Sequence, residues 1–146
     1  MKLDKMQIEM CKAILSNNEQ ILGCQFGDDF CFTFDHISLF VLPQKDIIFD
    51  TNKIEKADIA INIIPNKNDE KLIDTHYRYA SGKRLLHKYQ SISGVLEVYV
   101  DGKYIKALEG MGNFNLFGYD SLKRILVKDE FDKVVGAISP YRSPEN

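Results

Sequence analysis

The stretch Val95–Arg142 constrains the fold more than any other part of the sequence, because single residues mark where its elements begin and end. An apolar, β-rich run ends at Asp101, whose carboxylate can accept a backbone N–H bond and so begin a helix. After it, Tyr104, Ile105 and Leu108 fall on one helical face. The pattern predicts a strand that leads directly into an amphipathic helix over residues 102–109.

Three strands are predicted after this helix. Gly110 and Gly112 should end the helix, because glycine takes left-handed backbone angles at no steric cost. Short β-type runs with polar turns between them follow, at Phe114–Tyr119, Arg124–Lys128 and Val134–Ser139. The predicted order is therefore strand, helix, strand, strand, strand.

The first part of the chain repeats the order of one helix and three strands. Asp4 and Gln7 have the spacing of a capping box, and apolar residues at positions 3, 6, 10 and 14 predict a helix that runs to about Leu15. Further strands are predicted at Ile47–Phe49 and Ala57–Ile64. Between the helix and these two later strands, the sequence predicts three more strands: Gln20–Phe26, Phe30–Phe34 and Ile37–Leu42. Apolar and polar residues alternate in the second of the three, as in a half-buried strand.

The order of elements and the residue patterns of three segments resemble the half-domain unit of DNA sliding clamps of the bacterial β-subunit type. DGKYIKAL resembles the start of the clamp helix, YDSLKRILV resembles a strand pair that reads D-S-x-x-P-V-L, and ISPYR resembles the closing I-M-P-M-R. The sequence departs from the family at Arg124-Ile125, which replaces Pro-Val, and at Ser139 and Tyr141, where the family favours Met. The resemblance covers about a third of the chain, in these segments: Asp101–Leu108, Tyr119–Val127 and Ile138–Arg142.

The resemblance implies an α+β fold, in which residues 1–146 form a single clamp-like domain of two α-β-β-β units with two helices packed on antiparallel sheet. Residues 1–64 are the first half, residues 65–94 a connecting loop and basic segment, and residues 95–142 the second half. Basic side chains on clamp helices hold duplex DNA without reading its sequence. This implies DNA contacts from Lys5 and Lys12 on the first helix and from Lys103 and Lys106 on the second. Taken singly, each is also typical of an ordinary solvated lysine.

The last strand of a ring clamp also helps to form a hydrophobic pocket for peptides of polymerases and loaders. Carried over by the resemblance, Pro140, Tyr141 and Arg142 would lie at the edge of this pocket. A terminal edge strand that only closes the sheet is the alternative interpretation.

Charge points to an anionic partner at one place. The net charge is −2, but residues 75–96 carry four basic and no acidic side chains. Thr75–Gln90 is predicted to be a helix or a long loop, since Gly82 weakens a continuous helix. Basic residues interleaved with tyrosines are typical of nucleic-acid binding and also of an amphipathic segment with a solvated basic face. The basic residues of the segment are Arg78, Lys83, Arg84 and Lys88.

The sequence carries no catalytic or metal-binding constellation. Asp35 and His36 are adjacent and would point apart, and the three histidines lack metal-ligand spacing with one another or with the cysteines. Neither a phosphate-binding glycine loop nor a nucleophile elbow is present. We therefore expect no enzyme activity, no metal and no cofactor. The cysteines are expected to be buried, reduced thiols: Cys11, Cys24 and Cys31.

No apolar run is long enough to span a bilayer and the charged N-terminus lacks a signal peptide's apolar stretch, so the sequence predicts a cytoplasmic protein that binds no membrane.

Two functional hypotheses follow from the sequence. The first hypothesis is a sliding-clamp-like processivity factor for DNA replication, of phage or mobile-element type. It would self-assemble as a homo-oligomer around double-stranded DNA and tether a DNA polymerase. The second is a non-ring interaction module with a clamp fold that binds a polymerase, a clamp loader or a host clamp.

Overall fold

The computed structural model describes residues 4–16 and 20–144, and the chain divides into two compact units. The N-terminal unit is Lys2–Ile64 and the C-terminal unit continues from Pro65. Within the described residues there are two α-helices and ten strands, so the predicted α+β class is confirmed. Leu3, which was predicted to face the core from the first helix, lies outside the described residues.

In the N-terminal unit, one helix precedes a small mixed sheet. The strand order is β4-β1-β2-β3, with β4 parallel to β1 and the other neighbours antiparallel. The predicted helix and the three strands after it are confirmed, with boundaries shifted by a few residues. The elements are α1 (Asp4–Leu15), β1 (Leu22–Phe26), β2 (Asp29–Thr33), β3 (Ser38–Pro43) and β4 (Glu55–Lys56).

Strand β2 is buried on both of its faces, so the prediction of a half-buried strand is wrong. Phe30 and Phe32 pack edge-on against Phe49, with ring centroids 6.1 and 5.1 Å apart. The alternate residues Cys31 and Thr33 are also buried. Thr33 tolerates burial because its hydroxyl donates a 2.6 Å hydrogen bond to the Ser38 carbonyl.

Neither of the later strands predicted in this unit forms. Residues 47–49 are not a strand, because the buried Gln7 side chain occupies backbone groups that strand pairing would use. Gln7 Nε2 donates to the Asp46 carbonyl at 3.0 Å, and the Ile48 N–H donates to Gln7 Oε1 at 2.7 Å. Gln7 is thus a tertiary contact rather than part of a capping box. The segment predicted as a strand over 57–64 contains the 3₁₀ helix Ala60–Ile63.

The C-terminal unit consists of six antiparallel strands and one helix, and the elements after residue 95 form in the order that the sequence predicts. The strand order is β10-β9-β8-β5-β6-β7. The sequence strand–helix–strand–strand–strand is confirmed for β7 to β10. The elements are β5 (Glu70–Ser81), β6 (Arg84–Ser91), β7 (Glu97–Asp101), α2 (Gly102–Glu109), β8 (Phe114–Gly118), β9 (Ile125–Asp129) and β10 (Val134–Ile138).

The segment Thr75–Gln90 is neither a helix nor a long loop, and that prediction is wrong. It is the greater part of the β5–β6 hairpin, in which Ser81 pairs with Arg84 across a two-residue turn. Gly82 has a φ of +61°, the left-handed conformation that the first central position of a tight hairpin turn requires. The glycine that weakened the helix prediction is therefore the residue that reverses the chain.

The sheet of the C-terminal unit curves back on itself. Beyond β10, the Tyr141 N–H donates to the Tyr99 carbonyl of β7 at 2.7 Å. In a flat sheet β7 would lie roughly 24 Å from β10, at about 4.8 Å per strand. The three residues from Ile138 to Tyr141 span at most about 11 Å of extended chain. The strands between β10 and β7 must therefore curl.

Helix α2 begins and packs as predicted. The Asp101 side chain accepts a 3.1 Å hydrogen bond from the Lys103 N–H, which caps the helix. The predicted apolar face is buried: Tyr104, Ile105, Leu108 and Met111. The helix ends at Gly110 in an ordinary right-handed conformation with φ −69°, so the left-handed conformation expected there is wrong. Gly112, with φ +136°, does occupy the region that favours glycine.

We predict that Asp101→Ala lowers the free energy of unfolding by about 1–2 kcal/mol, because the first turn of α2 loses its capping acceptor. Asp101→Asn is the matched control, since an asparagine side chain caps as well as an aspartate and removes only the charge. Urea denaturation of the three proteins measures the difference. Equal losses for both variants would contradict the capping role and assign the effect to charge.

Candidate nucleic-acid interface

An open groove of about 940 Å³ lies between the β5–β6 turn and the first two turns of α2. Its walls carry four cationic side chains and two carboxylates, an excess of two positive charges. A surface concavity with such an excess attracts polyanions. The charged groups are Lys83, Arg84, Asp101, Lys103, Lys106 and Glu109.

The groove joins two sequence segments that were predicted separately. Lys83 and Arg84 come from the basic segment, and Lys103 and Lys106 come from the helix that resembles a clamp helix. The pairing of Leu86 on β6 with Asp101 on β7 brings the two segments together. Four of the eight predicted DNA-binding residues therefore line one surface.

Asp101 and Tyr141 hold the Arg84 side chain in place. Arg84 Nε lies 3.4 Å from Asp101 Oδ2, while the other Asp101 oxygen caps α2. The guanidinium also lies 5.3 Å from the centre of the Tyr141 ring, and its Nη1 donates to the Tyr141 hydroxyl at 3.3 Å. Because the Arg84 side chain is still 52% exposed, it can contact a ligand without losing these partners.

His87 and Gly102 pack closely at the base of the groove. A Cβ atom on Gly102 would lie 2.6 Å from His87 Nε2 and 2.9 Å from the Leu85 carbonyl, so only glycine lets α2 begin this close to β6. Burial lowers the pKa of His87, and the positive charge of Arg78 lowers it further. Both effects favour the neutral form of His87. Sequence reasoning missed this contact, because neither residue carries a local signal of it.

Arg78 and Lys88, also predicted to bind DNA, do not line the groove. Arg78 makes two 2.9 Å hydrogen bonds to the two carboxylate oxygens of Asp74. Lys88 Nζ lies 3.5 Å from Glu97 and only 19% of its side chain is exposed. Both cations are paired with carboxylates of the same unit.

The Asp74–Arg78 pair closes a bulge in β5. Three residues, Thr75 to Tyr77, stand opposite a single residue of β6. The bulge is fixed by the His76 N–H, which donates to Asp74 Oδ1 at 2.8 Å, and by the Thr75 hydroxyl, which donates to the Lys88 carbonyl at 2.7 Å. His76 adopts a φ of +64°, an uncommon conformation for a residue other than glycine.

The remaining predicted residues lie elsewhere. Lys5 and Lys12 are exposed on α1 of the N-terminal unit, and Lys12 pairs with Glu9 at 3.4 Å. Tyr141 and Arg142 line a second, smaller groove of about 280 Å³ beside Tyr99 and Leu122 in the C-terminal unit. Pro140 is not among the residues that line it.

In the described parts of the chain, no three His, Cys, Asp or Glu side chains are grouped so that they could hold a metal ion. Over the same residues, no helix combines the length and apolar character needed to cross a membrane.

Comparison with protein-family models, with curated proteins and with solved structures gave no match. The resemblance to sliding clamps therefore stays a prediction from the sequence.

We predict that the Asp74–Arg78 pair stabilises the protein and that acid removes its effect. The hydrogen bonds from Arg78 lower the pKa of Asp74 from 3.8 to about 2. A lowered pKa stabilises the fold fully above pH 3.8, and the stabilisation is lost as the pH falls through 2. Asp74→Asn should therefore lower the free energy of unfolding by at most about 2 kcal/mol at pH 7. The difference from the unmodified protein, followed by urea denaturation, should shrink below pH 4; a constant difference would contradict this origin.

Proposed function

We propose that the protein is a sliding-clamp-like accessory factor of DNA replication that holds duplex DNA by its phosphates, with the α2 groove as the contact surface. The observation that carries the proposal is the convergence of Lys83, Arg84, Lys103 and Lys106 on one concave surface. Lysine and arginine neutralise phosphates without reading bases, which suits a factor that must hold any sequence.

The charges of the groove support weak, electrostatic binding. Up to four phosphate contacts would give a slope of about −3.6 in a plot of log affinity against log salt, since each contact contributes about −0.9. Asp101 and Glu109 in the same groove reduce the positive field. The expected complex is therefore weak, sensitive to salt and indifferent to sequence, as a mobile clamp requires.

A ring around DNA would need several copies of this chain. One chain of 146 residues is too small to encircle a duplex, so the proposal includes closed homo-oligomerisation. The strand β7 lies at one end of the C-terminal sheet, where it is bridged at Tyr99 by Tyr141. Strands at the end of a sheet are a common place for pairing with a second copy.

We predict that Lys103→Glu with Lys106→Glu abolishes measurable binding of a labelled duplex at moderate salt, because two positive charges of the groove are replaced by two negative ones. Binding is measured by fluorescence anisotropy across a salt series. The matched control is Lys67→Glu with Lys133→Glu, which makes the same charge change at exposed positions outside the groove. An equal loss in the control would show that only net charge matters and would contradict the groove as the contact surface.

We predict a stable multimer in solution. Light scattering coupled to size-exclusion chromatography should give a mass of several times 16.8 kDa at low and at moderate salt. A multimer large enough to surround a duplex should also be retained on circular DNA and slide off the same DNA once it is cut. A monomer at tens of micromolar would exclude the self-assembling ring.

The alternative proposal is a non-ring interaction module that binds a replication protein such as a polymerase or a clamp loader. The observation that favours it is the smaller groove beside β7, whose mixed polar and apolar lining includes Tyr99, Tyr141 and Arg142. Tyrosine and arginine are enriched at protein interfaces. A monomer that binds no duplex would support this alternative.

A further inference from the structure

Two of the three cysteines stand directly opposite each other in the N-terminal unit. Cys24 on β1 and Cys31 on β2 are register partners in the antiparallel hairpin that the Gly27-Asp28 turn closes. Side chains of register partners point to the same face of a sheet. The two thiols therefore share the face opposite Phe30 and Phe32, and they are separated in sequence by only six residues.

The distance between the two positions suits a disulfide. Opposed residues of antiparallel strands have Cα atoms about 4.5 or 5.5 Å apart, depending on the hydrogen-bonding pattern. Disulfides join Cα atoms about 4.4–6.8 Å apart, so both spacings fall within range. Neither strand has to move along its neighbour for the sulfur atoms to meet.

The two thiols differ in accessibility. Cys31 is fully buried, whereas Cys24 is only partly buried. Burial is the main cause that raises the pKa of Cys31 to about 12, and the neighbouring Cys24 contributes to the same shift. Cys31 stays protonated at neutral pH, so Cys24 is the thiol that an outside reagent meets first.

We propose that Cys24 and Cys31 form a reversible dithiol–disulfide pair that is oxidised by low-molecular-weight disulfides such as oxidised glutathione. The Cys24 thiolate attacks one sulfur of the oxidant and releases one glutathione thiolate, which takes up a proton. Cys31 then loses its proton and attacks the Cys24 sulfur of the mixed disulfide. The second glutathione leaves as a thiol. The protein loses two electrons and two protons, and one small disulfide becomes two thiols.

When oxidised, this pair links β1 to β2 by a covalent bond, and the bond does not involve the groove on α2. The bond would fix the register of two strands at the centre of the N-terminal sheet. Cys11, on α1, has no register partner of this kind and serves as an internal reference.

The test uses the full chain in glutathione buffers of rising oxidised-to-reduced ratio, quenched with acid, alkylated after denaturation and analysed by intact and peptide mass spectrometry. We expect the loss of two hydrogen atoms from the chain and the loss of two of its three alkylatable thiols, with Cys11 alone alkylated. Cys11→Ser should oxidise in the same way. Cys24→Ser should retain an unmodified Cys31.

The preference of Cys24 for Cys31 over Cys11 must come from the folded structure. In denaturant, loop closure alone still favours the pair closest in sequence, so the excess of the Cys24–Cys31 peptide over the other two pairs should fall to the modest preference that loop length gives. A mixed disulfide on Cys24 that never closes, a native bond that includes Cys11, or unchanged thiols at every ratio would each overturn the proposal.

Discussion

The Asp101 carboxylate is the contact on which the C-terminal unit most depends. One oxygen caps α2 through the Lys103 N–H, and the other lies 3.4 Å from the Arg84 guanidinium. The same side chain thus fixes where the helix begins and joins that helix to the end of the β5–β6 hairpin. The groove exists because these two elements meet here, and Gly102 lets them meet closely since a Cβ atom would collide with His87.

The curvature of the sheet explains how the segment after β10 reaches Arg84 and the groove on α2. The bridge between Tyr99 and Tyr141 carries the chain beyond β10 to the opposite end of the strand order. Tyr141 then covers Arg84, so the terminal segment that resembles the end of a clamp strand supports the basic groove instead of lying apart from it. The two surfaces proposed for DNA and for a protein partner are consequently linked through one tyrosine.

The sequence predicts elements well where their boundaries depend on neighbouring residues. Helix α2 was predicted correctly because Asp101 and the apolar face act locally. The predicted strand Ile47–Phe49 does not form, because a residue distant in sequence determines the backbone conformation there. The Ile48 N–H is bound by the side chain of Gln7, 41 positions away. The basic residues of the groove could be named in advance, but their convergence depends on strand pairing. The same pairing opposes Arg78 to His87 and leaves Arg78 bound to Asp74, away from the groove.

The central claim is that duplex DNA lies against the α2 groove, and lysine footprinting tests it most directly. The protein is acylated briefly with and without a saturating duplex, and the modification of each lysine is quantified by peptide mass spectrometry. The account predicts that DNA protects Lys83, Lys103 and Lys106 and leaves the exposed Lys67 and Lys133 unchanged. Protection spread evenly over all lysines, or confined to those outside the groove, would contradict it.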